Sequence, residues 1–132
     1  MQDSIFTKII KGEIPCHKIY EDDLTLAFLD IHPTTPGHTL VIPKKQVWQL
    51  WDLEPADYAA VMATCKKVAL RMREVLQPKR VGVQVMGLDV DHAHVHLVPF
   101  DTINEYYHRP DMEAAPDHTA LQAMAARLAF QE

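Results

Sequence analysis

Three histidines alternate with apolar residues in the stretch from Asp91 to Phe100, which reads DHAHVHLVPF. Successive side chains of an extended strand point to opposite faces, so we expect His92, His94 and His96 to share one face. The apolar residues Ala93, Val95 and Leu97 between them should then face the core. A row of imidazoles can bind a metal, carry out chemistry at a phosphate, or lie on the solvated face of an ordinary strand.

The metal alternative requires the imidazoles to converge on one ion at bond lengths of about 2.1 Å. At a rise of about 3.3 Å per residue, the backbones of His92 and His96 lie roughly 13 Å apart. A further ligand must therefore come from elsewhere in the fold. Asp89 and Asp91 are near in sequence, but no Cys, Asp or Glu is paired at metal-ligand spacing.

The catalytic alternative uses the three imidazoles as a row. A histidine with an ordinary pKa near 6.5 is partly neutral at pH 7, and its free nitrogen can attack phosphorus. His94 has a neighbour about 6.6 Å away on either side, which can hold phosphate oxygens or pass a proton to a leaving group. His94 is therefore the candidate nucleophile of a metal-free reaction at phosphate.

The elements that must position this row follow from hydrophobic periodicity and turn residues. We predict a first helix at 4–12, two hairpin strands within 17–31, a third strand at 38–44, a long helix at 55–77, a fourth strand at 80–87, the histidine strand, and a final helix from His118 capped by Asp117. Residues 101–117 predict an irregular arm. The pattern favours an α+β fold, a five-stranded antiparallel sheet with one long and one short helix.

Length and composition limit the possible classes of protein. The 132 residues predict one domain, with 1–100 as its core and 101–132 as an arm and short helix packed on it. The net charge of -5 argues against nucleic acid and anionic membranes as partners. No apolar run approaches the roughly 20 residues that span a bilayer, and no signal peptide is visible. Cys16 and Cys65 indicate free thiols, so we expect a cytoplasmic protein.

Two stretches together resemble the histidine triad (HIT) nucleotide-binding family, and within it the Hint-like branch. The family motif alternates three histidines with apolar residues and ends in two apolar residues, and 92–98 match every position. The second stretch, Ser4 to Lys45, reads SIFTKIIKGEIPCHKIYEDDLTLAFLDIHPTTPGHTLVIPKK. The resemblance covers 4–100 and implies a HIT-like fold and a twofold homodimer formed through 55–77 and 80–87.

The resemblance also implies an enzyme that needs no cofactor. It would be a nucleotide hydrolase or nucleotidyl transferase that cleaves a purine nucleotide conjugate, such as a phosphoramidate or dinucleoside polyphosphate, at the α-phosphate. His94 would attack the phosphorus and form a covalent nucleotidyl-histidine intermediate, for example with AMP. His96 would contact the phosphate, while His92 and His38 would orient the site and relay protons.

The same resemblance implies where the rest of the nucleotide binds. Asp30 would hold the ribose, although an acid at this turn could instead bond to its own backbone. An apolar slot would hold the base, and its residues could alternatively be ordinary core; they are Phe6, Ile9, Phe28, Ile31 and Leu40.

Two departures from the family pattern affect these expectations. Some members bind structural zinc through a C-x-x-C pair, a later histidine and the first triad histidine, but here Ser4, Thr7 and Gln46 replace the first three, so we expect no metal. The connection before the triad is shorter than usual, and Asp89 stands where a hydroxyl is typical. The leaving group is therefore open, and so is an alternative function as a non-catalytic purine-nucleotide-binding regulatory module.

Overall fold

Five strands pair antiparallel in the computed structural model, which describes residues 2–130. Numbered β1 to β5 in chain order, they cover Lys18–Glu21, Thr25–Leu29, Thr39–Pro43, Arg80–Gln84 and Val95–Phe100. Their order across the sheet is β1-β2-β3-β5-β4, so β5 lies between β3 and the edge strand β4. The predicted five-stranded antiparallel sheet is confirmed.

Within residues 2–130, four α-helices accompany the sheet, and they are α1 (Ile5–Ile10), α2 (Pro55–Val75), α3 (Ile103–Tyr107) and α4 (His118–Leu128). Ser4 caps α1 by accepting a hydrogen bond from the Thr7 N–H, and Asp117 caps α4 by accepting from the Ala120 N–H. The long predicted helix is α2, which begins at the predicted residue and ends two residues early.

The prediction of an irregular arm at 101–117 was partly wrong, because α3 lies within these residues. Thr102 and Glu105 form a capping box, in which each side chain accepts from the other residue's backbone N–H. The T-x-x-E signature of that box is visible in the sequence and would have predicted this helix. Residues 1 and 131–132, at the ends of the two predicted segments 1–100 and 101–132, lie outside the described residues, and that division stays a prediction.

The sheet is covered on both faces, which explains why β2 and β3 are buried at every position. On one face α2 and α4 cover the main core, to which alternate strand residues contribute, namely Ala27, Leu29, Val41, Val95 and Leu97. The residues between them form a second apolar cluster with Phe6 of α1, namely Leu26, Phe28, Leu40 and Ile42. Because His96 pairs with Leu40 in the β3–β5 register, it lies on the α1 face.

The histidine row is only partly in a strand, which differs from the expectation. Since β5 begins at Val95, His96 alone lies within it, and His92 and His94 belong to the segment that leads into it. In that segment the Ala93 N–H donates to the Val47 carbonyl instead of to a neighbouring strand. Ala93, Val95 and Leu97 are nevertheless buried as predicted. Among residues 2–130, the structure has no helix with the length and apolarity needed to cross a membrane.

Candidate active site

The side chain of Phe6 in α1 brings the first helix against the histidines. Its ring contacts those of His92 and His94 edge to face, with centroid distances of 5.7 and 5.1 Å, and that of Phe28 at 5.6 Å. The His94 and His96 rings lie 5.1 Å apart. The amphipathic first helix therefore forms one wall of the site.

His92 is fully buried, and the protein uses both of its ring nitrogens. Nε2 lies 2.8 Å from the Pro43 carbonyl oxygen, which can only accept, so Nε2 carries the proton. Nδ1 then accepts from the Ser4 hydroxyl at 2.8 Å. Burial lowers the pKa of His92, and the nearby charge of His94 adds to this while the bond to Pro43 opposes it. His92 therefore joins α1 to the end of β3 as a neutral ring.

His94 is equally buried but differs in its hydrogen bonding. Its Nδ1 donates to the backbone carbonyl of His92 at 2.8 Å, which leaves the lone pair of the neutral ring on Nε2. That Nε2 is buried and has no hydrogen-bond partner among the described residues. Asp89 Oδ1 lies 3.2 Å from it, which would suit an ion pair with a protonated ring. With the proton on Nδ1, however, both atoms are acceptors and no hydrogen bond joins them.

His38 and His96 form a directed pair. The Thr34 N–H donates to His38 Nδ1 at 3.0 Å, so the neutral ring of His38 carries its proton on Nε2. That proton is donated to His96 Nδ1 at 2.9 Å, which places the proton of His96 on its own Nε2. His96 Nε2 is buried without a hydrogen-bond partner in the described part of the chain. The hydrogen bond from the Thr34 N–H therefore fixes both tautomers and leaves His96 Nε2–H as a free donor at the other end of the pair.

Burial keeps this histidine pair neutral. It lowers the pKa of His38 to about 4. It also lowers the pKa of His96 to about 4, with further lowering by the nearby charges of His38 and His94. Near pH 7 both rings are therefore uncharged, and the direction of their hydrogen bonds is fixed by the protein.

Asp30 lies beside this pair at the end of β2. Its Oδ1 accepts from the His32 N–H at 2.9 Å, which is the backbone-bonding turn weighed as an alternative. Its Oδ2 lies 3.7 Å from His38 Nε2. Burial raises the pKa of Asp30, while its hydrogen bond from His32 and the charge of His96 act in the opposite direction. One oxygen holds the turn, and the other remains available to a ligand.

The five predicted base-slot residues are not all together. Phe6, Phe28 and Leu40 belong to one apolar cluster, against which Ile9 packs. Each of the first three is 6% exposed or less. Ile31 lies outside this cluster, 43% exposed, and lines a small cavity of about 170 Å³ with residues of α4.

The role that the resemblance implied for His92 also differs in this structure. The expected partner of His38 was His92, but His38 bonds to His96 instead. Both ring nitrogens of His92 are occupied by Ser4 and Pro43, so its contribution to the site comes through the backbone carbonyl that holds the His94 tautomer.

Comparison with known proteins agrees with this geometry. The HIT domain family matches residues 11–103. This chain belongs to the HIT family. The adenosine 5'-monophosphoramidase hnt1 of Schizosaccharomyces pombe is 40% identical over 100 residues, covering 72% of this chain and 72% of the yeast protein. The adenylylsulfatase HINT3 of Arabidopsis thaliana is 37% identical over 107 residues, covering 74% of this chain and 52% of the plant protein.

A solved structure confirms the HIT fold. The HIT-like protein from Bartonella henselae, described as involved in cell-cycle regulation, superposes with a TM-score of 0.81 at 30% identity. The superposition covers 96% of this chain and 94% of the Bartonella chain.

The three positions where the family resemblance implied zinc ligands in some members, Ser4, Thr7 and Gln46, form a hydrogen-bond network here. The Thr7 hydroxyl donates to Gln46 Oε1 at 2.6 Å, and the Ser4 N–H donates to the same oxygen at 2.8 Å. Ser4 in turn donates to His92 Nδ1. Neutral hydroxyl and amide groups do not supply the thiolate and imidazole donors of a structural zinc site, so these residues do not fit the metal.

A second cluster of possible metal ligands does not fit a metal either, because one of its ring nitrogens carries a proton. Within residues 2–130, Asp30, His38 and His96 place candidate ligand atoms within 4.8 Å of one another. A metal would need the lone pair of His38 Nε2, but the Thr34 N–H requires that lone pair on Nδ1. The cluster is therefore better explained as a hydrogen-bonded relay.

Sequence reasoning missed a cavity beside the candidate nucleophile. A cavity of about 390 Å³ opens beside His94, and its apolar walls include Trp48, Trp51, Met86 and Leu88. All four side chains are more than half exposed. The signal was available in the sequence as two tryptophans after the Pro-Lys-Lys turn, but no periodicity links residues 48–51 to the triad.

Proposed function

We propose that this HIT protein is a nucleotide hydrolase that cleaves a purine nucleotide conjugate at the α-phosphate through His94. The observation that carries the proposal is a pair of buried ring nitrogens with opposite character and no hydrogen-bond partner among residues 2–130. His94 Nε2 offers a lone pair, and His96 Nε2 offers an N–H. A nucleophile next to a hydrogen-bond donor is the arrangement that displacement at a phosphate requires.

In the first step, the His94 Nε2 lone pair forms a bond to phosphorus. The bond between phosphorus and the leaving group breaks, and the leaving group departs with the electron pair and takes up a proton from solvent. The His94 ring becomes positively charged, and its Nδ1–H remains bonded to the His92 carbonyl, which stabilises that charge. The His96 N–H donates to a phosphate oxygen as negative charge develops there.

In the second step, water resolves the covalent nucleotidyl-histidine. The water oxygen bonds to phosphorus, the nitrogen–phosphorus bond breaks, and its electron pair returns to His94 Nε2. The water gives up one proton to solvent, and a nucleoside monophosphate is released. Neither step uses a cofactor, and transfer to an acceptor other than water would follow the same course.

The nucleotide would extend from the triad toward the α1 face. Oδ2 of Asp30 would accept from ribose hydroxyls, because Oδ1 already accepts from the His32 N–H. The base would lie against the apolar cluster of Phe6, Phe28 and Leu40, on which Ile9 packs, whereas Ile31 lies outside that cluster. The relatives named as an adenosine 5'-monophosphoramidase and an adenylylsulfatase support adenylyl conjugates as the substrates to test.

The test is AMP release from adenosine phosphoramidate, adenylyl sulfate and a diadenosine polyphosphate. We expect the parent protein to release AMP from at least one, and His94→Asn to be slower by about 10³-fold or more. His108→Asn is a matched control, because His108 is exposed and lies outside the site. Equal turnover by His94→Asn would contradict the proposal. Tight AMP binding with no turnover of any substrate would instead support a regulatory binding module.

We propose further that two copies assemble through β4 and α2. The edge strand β4 and the residues after it expose apolar side chains, with Val83 56% and Met86 63% exposed. The α2 residues Tyr58 and Met62 are each 37% exposed. An apolar edge strand is covered in most native proteins. Sedimentation should show a dimer at micromolar concentration that Val83→Asp weakens, and a monomeric parent would contradict this assembly.

A further inference from the structure

Asp89 lies where the reacting phosphorus must come. Its Oδ1 is 3.2 Å from His94 Nε2, and reacting atoms approach to about 3–3.5 Å before bond formation. The carboxylate and the phosphorus therefore compete for one position. The Asp89 side chain is 68% exposed on an exposed loop, so it has room to turn away. Because the backbone of Asp89 stays in place, its carboxylate remains near the bound substrate after the side chain turns.

The charge of Asp89 reaches two other groups of the site, Asp30 and His96. Burial raises the pKa of Asp30, and the negative charge of Asp89 raises it further. Burial lowers the pKa of His96, and the charge of Asp89 opposes that lowering. A substrate held between these residues is exposed to the same negative charge.

The cavity beside His94 offers nothing to offset this charge. In the described part of the chain no lysine or arginine lines this cavity, and its one acidic lining residue is Asp91. Asp89 lines the neighbouring cavity, which shares Trp48 and Asp91 with it. The two lysines of the neighbouring turn are engaged elsewhere. Lys44 pairs with Glu21 at 2.8 Å and Lys45 pairs with Asp57 at 3.2 Å.

We propose that Asp89 is a specificity-determining residue that selects substrates by the charge of their leaving group. It favours conjugates that release a neutral or positively charged group over conjugates that release an anion. This inference rests on the proposed function and adds the class of leaving group to it. A unit charge on the leaving group about 6 Å from the carboxylate should change kcat/KM by about 3-fold to 100-fold, for an effective dielectric constant between about 80 and 20.

The test uses two adenylyl phosphoramidates made from amines of equal length, one ending in an ammonium group and the other in a carboxylate. The measured quantity is the ratio of their kcat/KM values. We expect the parent to favour the ammonium conjugate, and Asp89→Asn to reduce that preference by about tenfold or more. Asp89→Glu keeps the charge and should keep the preference within about threefold of the parent.

Asp23→Asn is the matched control, because it makes the same change of net charge in the exposed turn between β1 and β2. Its ratio should equal that of the parent within about threefold. A ratio in Asp89→Asn within threefold of the parent's would overturn this inference alone. Failure of the parent to release AMP from either conjugate would overturn this inference, while release of AMP from adenosine phosphoramidate, adenylyl sulfate or the diadenosine polyphosphate would leave the proposed function standing.

Discussion

His92 and His94 are two residues apart and equally inaccessible to solvent, yet their hydrogen bonding is opposite. The ring of His92 is bonded at both nitrogens, to Ser4 and to Pro43. The ring of His94 is bonded at Nδ1 only, and its Nε2 has no hydrogen-bond partner in the described residues. Buried polar atoms are nearly always paired, so the unpaired nitrogen points to chemistry and the paired ring points to support.

Substituting the two histidines in parallel tests this contrast most strongly. In His94→Asn we expect kcat to fall by about 10³-fold or more, because the nucleophile is lost, while the free energy of unfolding changes by about 1 kcal/mol. In His92→Asn we expect the free energy of unfolding to fall by about 2–4 kcal/mol, because the buried Pro43 carbonyl and the half-buried Ser4 hydroxyl both lose their partner. Its kcat, measured where the variant is folded, should fall less than about 30-fold.

Chemical denaturation and initial rates on the same preparations give both quantities. A greater loss of kcat in His92→Asn than in His94→Asn would reverse the assignment of the two rings.

The next largest effect concerns the N–H at the end of the His38–His96 pair. His96→Phe keeps a planar ring but removes the donor to the phosphate oxygen, so we expect kcat to fall by about 10²–10³-fold. The substrate dissociation constant, measured by calorimetry with a non-hydrolysed analogue, should rise much less. A loss of kcat below about tenfold would show that His96 does not stabilise the reacting phosphate.

Acid should weaken the fold through the same pair. The folded protein keeps His38 and His96 neutral down to about pH 4, whereas the unfolded chain protonates them near pH 6.5. Between these values the unfolded state binds more protons, so the free energy of unfolding falls as the pH falls. The loss by pH 4 should be at most about 3 kcal/mol for each ring.

The difference between the parent and His38→Gln isolates this effect from that of the carboxylates. Between pH 6.5 and 4, the free energy of unfolding should fall less steeply with falling pH in His38→Gln than in the parent. In His108→Asn it should fall as steeply as in the parent. Identical curves for the parent and His38→Gln, obtained by urea titration at each pH, would contradict the buried neutral pair.

The smallest effect concerns the support beneath His92. Ser4→Ala removes the α1 cap and the hydroxyl that donates to His92, so we expect a loss of about 1–2 kcal/mol in the free energy of unfolding. Its kcat should stay within about threefold of the parent's, since the ring that it supports performs no chemistry. Thr119→Ala, which removes an exposed hydroxyl on α4, should change neither quantity.

Much of this arrangement is predictable from local sequence signals. The alternation of apolar residues gave the sheet and the burial of Ala93, Val95 and Leu97, since period-two patterning acts within a single strand. The helix α3 within the predicted arm was missed, because a capping box marks its start and its five residues are too few to show helical periodicity. The pairing of His38 with His96 could not be predicted, because it depends on the Thr34 backbone and on the β3–β5 register. The position of Asp89 against His94 depends on a loop conformation that residue types do not specify.

The most direct test of the central claim is to trap the covalent intermediate. The parent would be mixed with an adenylyl conjugate, quenched within milliseconds to seconds, digested, and examined by mass spectrometry. We predict an added adenylyl group on the peptide that carries His92, His94 and His96, assigned by fragmentation to His94, and its loss in His94→Asn. An adenylyl group on another residue, or its persistence in His94→Asn, would contradict the account.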